Sequence, residues 1–318
     1  MLTHPLQDLE TWVLFFSGAD LPVLRHTARQ LEEARAKIDR VSGRDIARIV
    51  LQDPLMTAKV LAYIQPFSGK RLRTDITTIA SAVMMIGVEP FFEKFKELIT
   101  VEHMLKAEPP AMLGTLQLIR RVQRAAHYAR EWALWRQDVN VEEVTIAALL
   151  HDIAEILLWC FAPTLAGRIR DMQKADPTLR SAVAQEQVLG IQLIDLQLAL
   201  CRAWHLPELL AHLIDPEHAD HPRIRNVQLA VDLARHTASG WNNAAIPDDF
   251  TALENLLHLN RDSLIERLGL SDDEKAQLPQ MPQMPPPVDA PKSASLWRGK
   301  RTHLLHFVAT PFVKLNDT

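Results

Sequence analysis

The most constraining feature of the sequence is a long apolar segment near the middle of the chain. From Val144 to Phe161 the only charged side chains are those of Asp152 and Glu155. A segment this apolar is stable in water only when other parts of the protein cover it on all sides. Its leucine and alanine content favours a helix over a strand. We therefore predict a buried helix at the centre of a helical bundle.

Start signals for further helices occur on both sides of this segment. Ser42, with Asp45 three residues later, is typical of a capping box. The dipeptide Asp53-Pro54 is typical of a helix N-terminus, with the aspartate as N-cap and the proline in the first helical position. Asn140 and Glu143 are expected to cap the apolar helix. Glycine is scarce, at 10 residues in 318, which also favours helices.

These signals predict an all-α chain made of two packed helical bundles and a tail. An N-terminal extension of residues 1–19 precedes a first helical subdomain of residues 20–106, and residues 107–270 form the second. From about residue 271 the periodic apolar pattern stops. The proline-rich stretch QMPPPVDAPKS then belongs to a linker and tail over residues 271–318. We expect this tail to be dispensable for folding.

The net charge and the cysteine content indicate which binding partners and which cellular compartment are expected. The formal net charge of −4 gives no overall basic surface for nucleic acid or for an anionic membrane. Cys160 and Cys201 do not form a Cys-x-x-Cys pair, as is usual in a reducing compartment. The N-terminus lacks the basic and apolar regions of a secretion signal, and no apolar run reaches a bilayer-spanning length. We expect a cytoplasmic protein with no membrane insertion.

One predicted helix combines basic and aromatic side chains. Its arginines and aromatic residues are Arg120, Arg121, Arg124, Arg130 and Arg136, interleaved with Tyr128, Trp132 and Trp135. Such a surface could bind nucleic acid or an acidic protein. The alternative is an ordinary solvated helix face. We favour the solvated face, and nucleic acid is therefore not an expected partner.

A polar pair, His151-Asp152, interrupts the apolar segment. An ionised carboxylate in a dry interior is costly unless it is paired, hydrogen-bonded or bound to metal. We therefore expect Asp152 to be mostly buried and to contact at least one hydrogen-bond donor. A His-Asp pair can also give an imidazole nitrogen and a carboxylate oxygen to one divalent cation. A hydrogen-bonded core pair and a metal site are the two alternatives.

Several separate segments resemble the HDOD (HD-related output domain) family of the HD superfamily. DPLMTAKVL and ITTIASAVMMIG are similar to helices of the family's first half, and AALLHDIAEILL and AWHLPELL follow in the expected order. The spacing from Glu186 through Gly190 to Trp204 and Pro207 also matches. The resemblance covers roughly residues 20–268. It implies a bacterial, non-catalytic regulatory module of signal transduction that binds a signalling protein or a small ligand.

The same superfamily implies an alternative function. Catalytic HD phosphohydrolases bind metal through a histidine, the His-Asp pair and a later aspartate. By this resemblance the ligands here would be His127, His151, Asp152 and Asp232. A degenerate site of this kind would hold Fe, Mn or Zn and hydrolyse a nucleotide or a cyclic dinucleotide. We expect no cofactor and no catalytic residue.

The sequence departs from both family patterns. Catalytic signalling relatives commonly have glycine and lysine after the His-Asp pair, whereas this chain has Ala154 and Glu155, an anion in place of a phosphate-binding cation. Leu193 and Gln197 replace a histidine and a glycine that are usual in HDOD domains. Gln65-Pro66 replaces an asparagine-serine pair. These departures favour the non-catalytic interpretation.

Helical geometry also bears on the predicted ligands. At about 100° per residue, His127 lies on the order of 130° from the centre of the apolar stripe of its helix, which points it toward solvent. Asp232 lies on a helix that is apolar nearly all round, so its direction stays open. Glu155 lies one turn after the His-Asp pair, where it could repel an anionic substrate, act as an extra ligand or pair with a nearby arginine.

Overall fold

In the computed structural model, the described residues are 1–71, 76–176, 178–218 and 220–279. These residues form helices joined by short connections. Across these ranges there is no strand, only one isolated bridge between Val23 and Thr100. The predicted all-α fold is confirmed.

The helices follow one another closely along the chain. Those of the first third are α1 Leu9–Ser17, α2 Arg25–Arg35, α3 Gly43–Val50, α4 Pro54–Arg71, α5 Ile79–Ile86, α6 Val88–Lys94 and α7 Val101–Met104. The remaining helices are α8 Pro109–Trp135, α9 Val141–Leu150, α10 Ile153–Phe161, α11 Pro163–Ala175, α12 Ser181–Leu189, α13 Leu193–Ala203, α14 Glu208–Ile214, α15 Pro222–His236, α16 Ile246–Leu257, α17 Arg261–Leu268 and α18 Asp272–Gln277. Short 3₁₀ turns occur at Ile38–Arg40 and Pro216–His218.

The predicted caps of α3 and α4 are both present. Ser42 and Asp45 form a reciprocal capping box, in which the Ser42 N–H donates to Asp45 Oδ2 at 3.0 Å and the Asp45 N–H donates to Ser42 Oγ at 3.3 Å. Asp53 caps α4, since its Oδ1 accepts from the N–H groups of Leu55 and Met56 at 2.9 and 3.2 Å. Local sequence therefore determines where these helices begin.

Asp53 also connects α4 to the start of α2. Its second oxygen, Oδ2, accepts from the N–H of Leu24 at 2.7 Å, and the side chain of Thr27 is a further hydrogen-bond partner. The residue is fully buried. Burial raises the pKa of the Asp53 carboxyl above its usual value, although these hydrogen bonds act in the opposite direction. One carboxyl group thus accepts several otherwise unsatisfied donors in the core.

The predicted central helix is buried, but it consists of two helices. α9 ends at Leu150 and α10 begins at Ile153, and between them Asp152 adopts φ −107° and ψ 26°, away from helical values. The segment Val141–Phe161 is long and apolar enough to cross a membrane by length and composition. However, 72% of its apolar stretch is buried inside the protein. The segment is thus packed as part of the protein core.

The predicted caps of α9 are wrong. Asn140 precedes the helix but makes no side-chain capping bond, and its carbonyl accepts from Arg223 Nη2 at 3.0 Å. Glu143 is buried, and its side chain contacts α15 and the segment just before α5. It accepts from Arg223 Nη2 at 2.8 Å and from Thr77 Oγ1 at 2.7 Å. Hydrogen bonds to residues that are distant in the sequence thus replace the expected capping bonds.

Residues 1–19 contribute to the helical body, although the sequence sets them apart as an extension. α1 buries Trp12 and Phe16 completely and packs against α13. The N–H of Leu2 donates to the carbonyl of Phe161 at 2.8 Å, which attaches the residues before α1 to the end of α10. This segment therefore adds to the core of the second predicted subdomain.

The helical body also continues beyond residue 270, where the sequence places its end. Trp241 donates from its indole Nε1 to Glu274 Oε1 at 3.1 Å and from its backbone N–H to Gln277 Oε1 at 3.2 Å. Ser271 and Glu274 form a capping box at the start of α18. Residues 271–279 thus belong with the helices, whereas residues 280–318 of the predicted tail lie outside the described residues.

The two predicted subdomains share contacts through α9. Oε1 of Glu142 accepts from the N–H groups of Ile79 and Ala80, the first two residues of α5, at 2.7 and 3.3 Å. The described residues, as far as residue 279, belong to one compact unit. A division between residues 106 and 107 stays a prediction.

α8 and α10 are in close contact at Gly114. A Cβ atom at this position would lie 2.8 Å from Cη2 and 2.9 Å from Cζ3 of Trp159. Trp159 is buried, and the guanidinium carbon of Arg170 lies 5.1 Å from the centroid of its ring. The indole thus contacts both Gly114 and Arg170, and the lack of a side chain at Gly114 permits the close contact between α8 and α10.

Candidate functional site

The His151-Asp152 pair lies at the junction of α9 and α10. The side chain of Asp152 is 16% exposed and that of His151 is 19% exposed. His151 Nδ1 lies 2.8 Å from Asp152 Oδ1, within hydrogen-bonding distance. The expectation of a mostly buried Asp152 that contacts a hydrogen-bond donor is confirmed.

The main partner of Asp152 is Arg121, which comes from the middle of α8. Its Nη2 donates to Asp152 Oδ2 and to Glu155 Oε2, each at 2.8 Å. Of the three interpretations open for Glu155, the structure supports pairing with an arginine. The sequence places Arg121 among five arginines of one predicted helix without indicating which of them faces α10, so the sequence alone does not identify this partner.

The four side chains are connected by hydrogen bonds, from His151 through Asp152 and Arg121 to Glu155. Burial would raise the pKa of Asp152, but the guanidinium of Arg121 and the hydrogen bond from His151 outweigh it and hold that pKa well below its usual value. Burial acts to lower the pKa of Arg121, whereas Glu155 and Asp152 raise it above its ordinary value. The site therefore contains an ionised carboxylate beside a permanently charged guanidinium.

Gln197 supports the same junction from α13. Its Oε1 accepts from the N–H of Ala154 in the first turn of α10 at 3.0 Å, and its Nε2 lies 3.8 Å from Cys201 Sγ. Gln197 is buried, as is Leu193 on the same helix. The side chain that replaces the usual glycine thus satisfies a backbone donor beside the His-Asp pair.

The predicted metal ligands are not assembled into a metal site. His127 is exposed to solvent on α8, as its helical phase predicts. Asp232 pairs with Arg235 one turn later on α15. Within the described ranges no group of three or more His, Cys, Asp or Glu side chains is arranged to hold a metal ion. With Arg121 bound to both carboxylates beside His151, the donors present do not fit the metal that the HD superfamily implies.

The basic and aromatic side chains of α8 make several separate contacts. Arg121 binds the two carboxylates described above. Arg124 Nη1 donates to the carbonyl of Thr237 at 3.2 Å. Trp132 is fully buried and stacks on Tyr128 with ring centroids 5.6 Å apart. Arg121, Arg124 and Trp132 thus each have a separate partner within the protein.

Asp152→Asn should make the protein less stable at neutral pH, with a smaller difference in acid. The pKa of Asp152 is lower in the folded chain than the unfolded value of about 3.9. Its contribution is therefore complete above that unfolded value and is lost as the pH falls toward the folded pKa. We expect a loss of about 1–3 kcal/mol at pH 7, measured by urea denaturation at pH 7, 5 and 3.

The matched control for this prediction is Asp171→Asn. Asp171 is a largely exposed aspartate on α11, 3.5 Å from Arg170, and its replacement should change stability little at any of these pH values. A loss in Asp152→Asn that stayed constant from pH 7 to pH 3 would contradict the prediction.

Comparisons with known proteins extend these observations. The fold and the site define an all-helical protein with a histidine–aspartate pair at a helix junction. The HDOD domain family matches residues 21–220, and the chain belongs to that family. The comparison with curated proteins gives no match.

Two solved structures share the fold. The MmoQ response regulator from Methylococcus capsulatus is 16% identical with a TM-score of 0.60, over 80% of this chain and 100% of that one. A virulence factor (cj0248) from Campylobacter jejuni is 20% identical with a TM-score of 0.57, over 86% of this chain and 94% of that one. At these low sequence identities the similarity shows a shared fold alone.

Proposed function

We propose that this protein is a non-catalytic regulatory module of bacterial signal transduction that acts in the cytoplasm by binding a signalling protein or a small ligand. Membership of the HDOD domain family supports the assignment to signalling. The Methylococcus protein with the same fold is a response regulator, which favours the same broad role. No cofactor and no nucleic acid is part of this proposal.

One observation carries the non-catalytic part of the proposal. Cleavage of a phosphodiester needs an activated hydroxide and positive groups that oppose the charge on the phosphate. At the His-Asp junction the nearest guanidinium, that of Arg121, is already bound to Asp152 and Glu155. Those two carboxylates would repel an anionic substrate, because the one guanidinium between them does not balance both charges. This arrangement supports a structural role for the His-Asp junction in our proposal.

Hydrolysis assays test this proposal directly. We expect the purified full chain to leave cyclic dinucleotides and nucleotides intact, with or without added manganese or iron. Substrate loss would be followed by chromatography alongside the variants His151→Ala and Asp152→Ala. Metal-dependent turnover that both variants abolish would overturn the proposal and support a phosphohydrolase.

Partner capture tests the binding role. The immobilised chain should retain a protein that carries a recognisable signalling domain, in near-stoichiometric amount, and free untagged chain should compete for it. A parallel small-ligand test would titrate the chain with cyclic dinucleotides by calorimetry. Absence of both kinds of binding would contradict the proposed role.

A further inference from the structure

α18 is attached to the helical body by polar contacts at its surface. Glu274 and Gln277 accept hydrogen bonds from Trp241 at 3.1 and 3.2 Å. No residue of this six-residue helix is buried, and the buried Leu270 lies before it. A helix this short does not persist alone in water, and a segment with no buried side chain costs little to release. α18 is therefore a weakly held occupant of the surface that it covers.

The surface under α18 is formed by Arg124, Tyr128 and Trp241, here called the Trp241 surface. Trp241 packs edge-on against Phe250 of α16, with ring centroids 6.3 Å apart. Arg124 is exposed on α8, and its guanidinium donates to the carbonyl of Thr237. The side chain of Tyr128, one turn later, is hydrogen-bonded to that of Thr237. These contacts do not involve α18, so the surface stays formed when α18 leaves it.

The Trp241 surface and α18 are complementary in charge. α18 carries three acidic residues in its first turn and one basic residue in its last turn. Hydrogen bonds from Ser271 and from the Trp241 indole lower the pKa of Glu274, and the charge of Arg124 acts in the same direction. Burial raises the pKa of Tyr128, and the charge of Glu274 adds to this effect. Glu274 thus binds the Trp241 surface as an anionic ligand.

We propose that the Trp241 surface is the docking site for an acidic segment of the signalling partner, and that α18 covers this site until the partner displaces it. The partner places a carboxylate where that of Glu274 lies, so that it accepts from the Trp241 indole beside Arg124. This inference rests on the proposed function in taking the partner to be a protein. An attached helix competes at an effective concentration of about millimolar, so only a segment that binds more tightly than α18 gains access.

A charge reversal on α18 in the full-length chain tests this exchange. Glu274→Lys removes the acceptor of the Trp241 indole and brings a cation toward Arg124, so α18 should leave the surface. The probe is a synthetic peptide of residues 269–279. The readout is the indole N–H resonance of Trp241 in NMR spectra, assigned by its loss in Trp241→Phe.

The resonance should move in Glu274→Lys, and the peptide should return it to its wild-type position. The peptide should bind this variant roughly 10-fold or more tightly than the wild type, because in the wild type α18 competes with it. Addition of Arg124→Ala or Trp241→Phe to Glu274→Lys should weaken peptide binding roughly 10-fold, as measured by calorimetry. Thermal melts would establish that each variant is folded, and Glu274→Ala replaces Glu274→Lys if the latter does not fold.

Asp272→Lys is the matched control, because it makes the same change of charge on the same helix. The side chain of Asp272 is fully exposed and pairs with Lys275. α18 should therefore stay in place, with the Trp241 resonance and the peptide affinity of the wild type. A peptide that itself carries Glu274→Lys should not bind to any of these chains.

A Trp241 resonance that Glu274→Lys leaves unchanged would overturn the inference, as would a peptide that binds Glu274→Lys no better than Asp272→Lys. A signalling protein that immobilised Glu274→Lys retains, and that excess peptide does not displace, would also overturn it. Failure of the chain to bind any protein or small ligand would instead contradict the proposed function. The two failures are distinguishable because the peptide experiment needs no partner.

Discussion

Asp53→Ala should lower the free energy of unfolding by about 3 kcal/mol or more, because each buried donor left without an acceptor costs about 1–3 kcal/mol. The carboxylate accepts from the backbone N–H groups of Leu24, Leu55 and Met56, and the residue has no exposed surface. Alanine leaves these donors in an apolar interior. Chemical denaturation monitored by circular dichroism would measure the loss.

Asp8→Ala is the matched control for this variant. Asp8 also caps a helix, since it accepts from the N–H of Thr11 at 2.8 Å at the start of α1, but it is exposed to solvent. Water can replace the carboxylate there, so the loss should be clearly smaller. Equal losses in the two variants would show that Asp53 acts only as a local cap and does not hold α2 to α4.

Gly114→Leu should destabilise the protein by about 3 kcal/mol, through overpacking against Trp159. The first atom of the new side chain would already lie 2.8 Å from the indole, and Arg170 lies over the ring. Gly114→Ala should cost less, because it adds only the Cβ atom and its gain in helix propensity of about 1 kcal/mol partly offsets the clash. Thermal and urea denaturation would measure both variants.

Gly167→Ala provides the control for the change of glycine itself. Gly167 lies within α11, and a Cβ atom there would meet no other atom within 4 Å. This substitution should stabilise the protein by up to about 1 kcal/mol through helix propensity alone. If Gly114→Ala stabilised the protein as much as Gly167→Ala, the close approach of α8 and α10 would not be a constraint on the fold.

The sequence predicts those features whose causes lie within a few residues along the chain. The caps at Ser42 and Asp53 depend on a side chain and the next three backbone N–H groups, so the motif itself contains the interaction. The exposure of His127 follows from its phase on α8. The burial of Asp152 follows from its apolar neighbours.

Features set by packing between helices were not predictable in the same way. Arg121 reaches Asp152 and Glu155 across 31 and 34 residues, and the sequence offers no means to choose it from the arginines of α8. Arg223 binds the carbonyl of Asn140 and the side chain of Glu143, which replaces the predicted cap of α9. In each case an arginine that is distant in the sequence determines which hydrogen bonds a polar group makes.

The hydrogen bonds between Glu142 and the start of α5 couple the opening of α5 to that of α9. They also limit how the first predicted subdomain can be transferred to another protein. The amides of Ile79 and Ala80 are satisfied by a carboxylate 63 and 62 residues away, and α5 has only eight residues, too few to persist alone in water. Hydrogen exchange at these amides thus reports the opening of α9 as well as of α5. A gene fusion that moved residues 20–106 without α9 would leave the N–H groups of Ile79 and Ala80 without the acceptor that Glu142 provides.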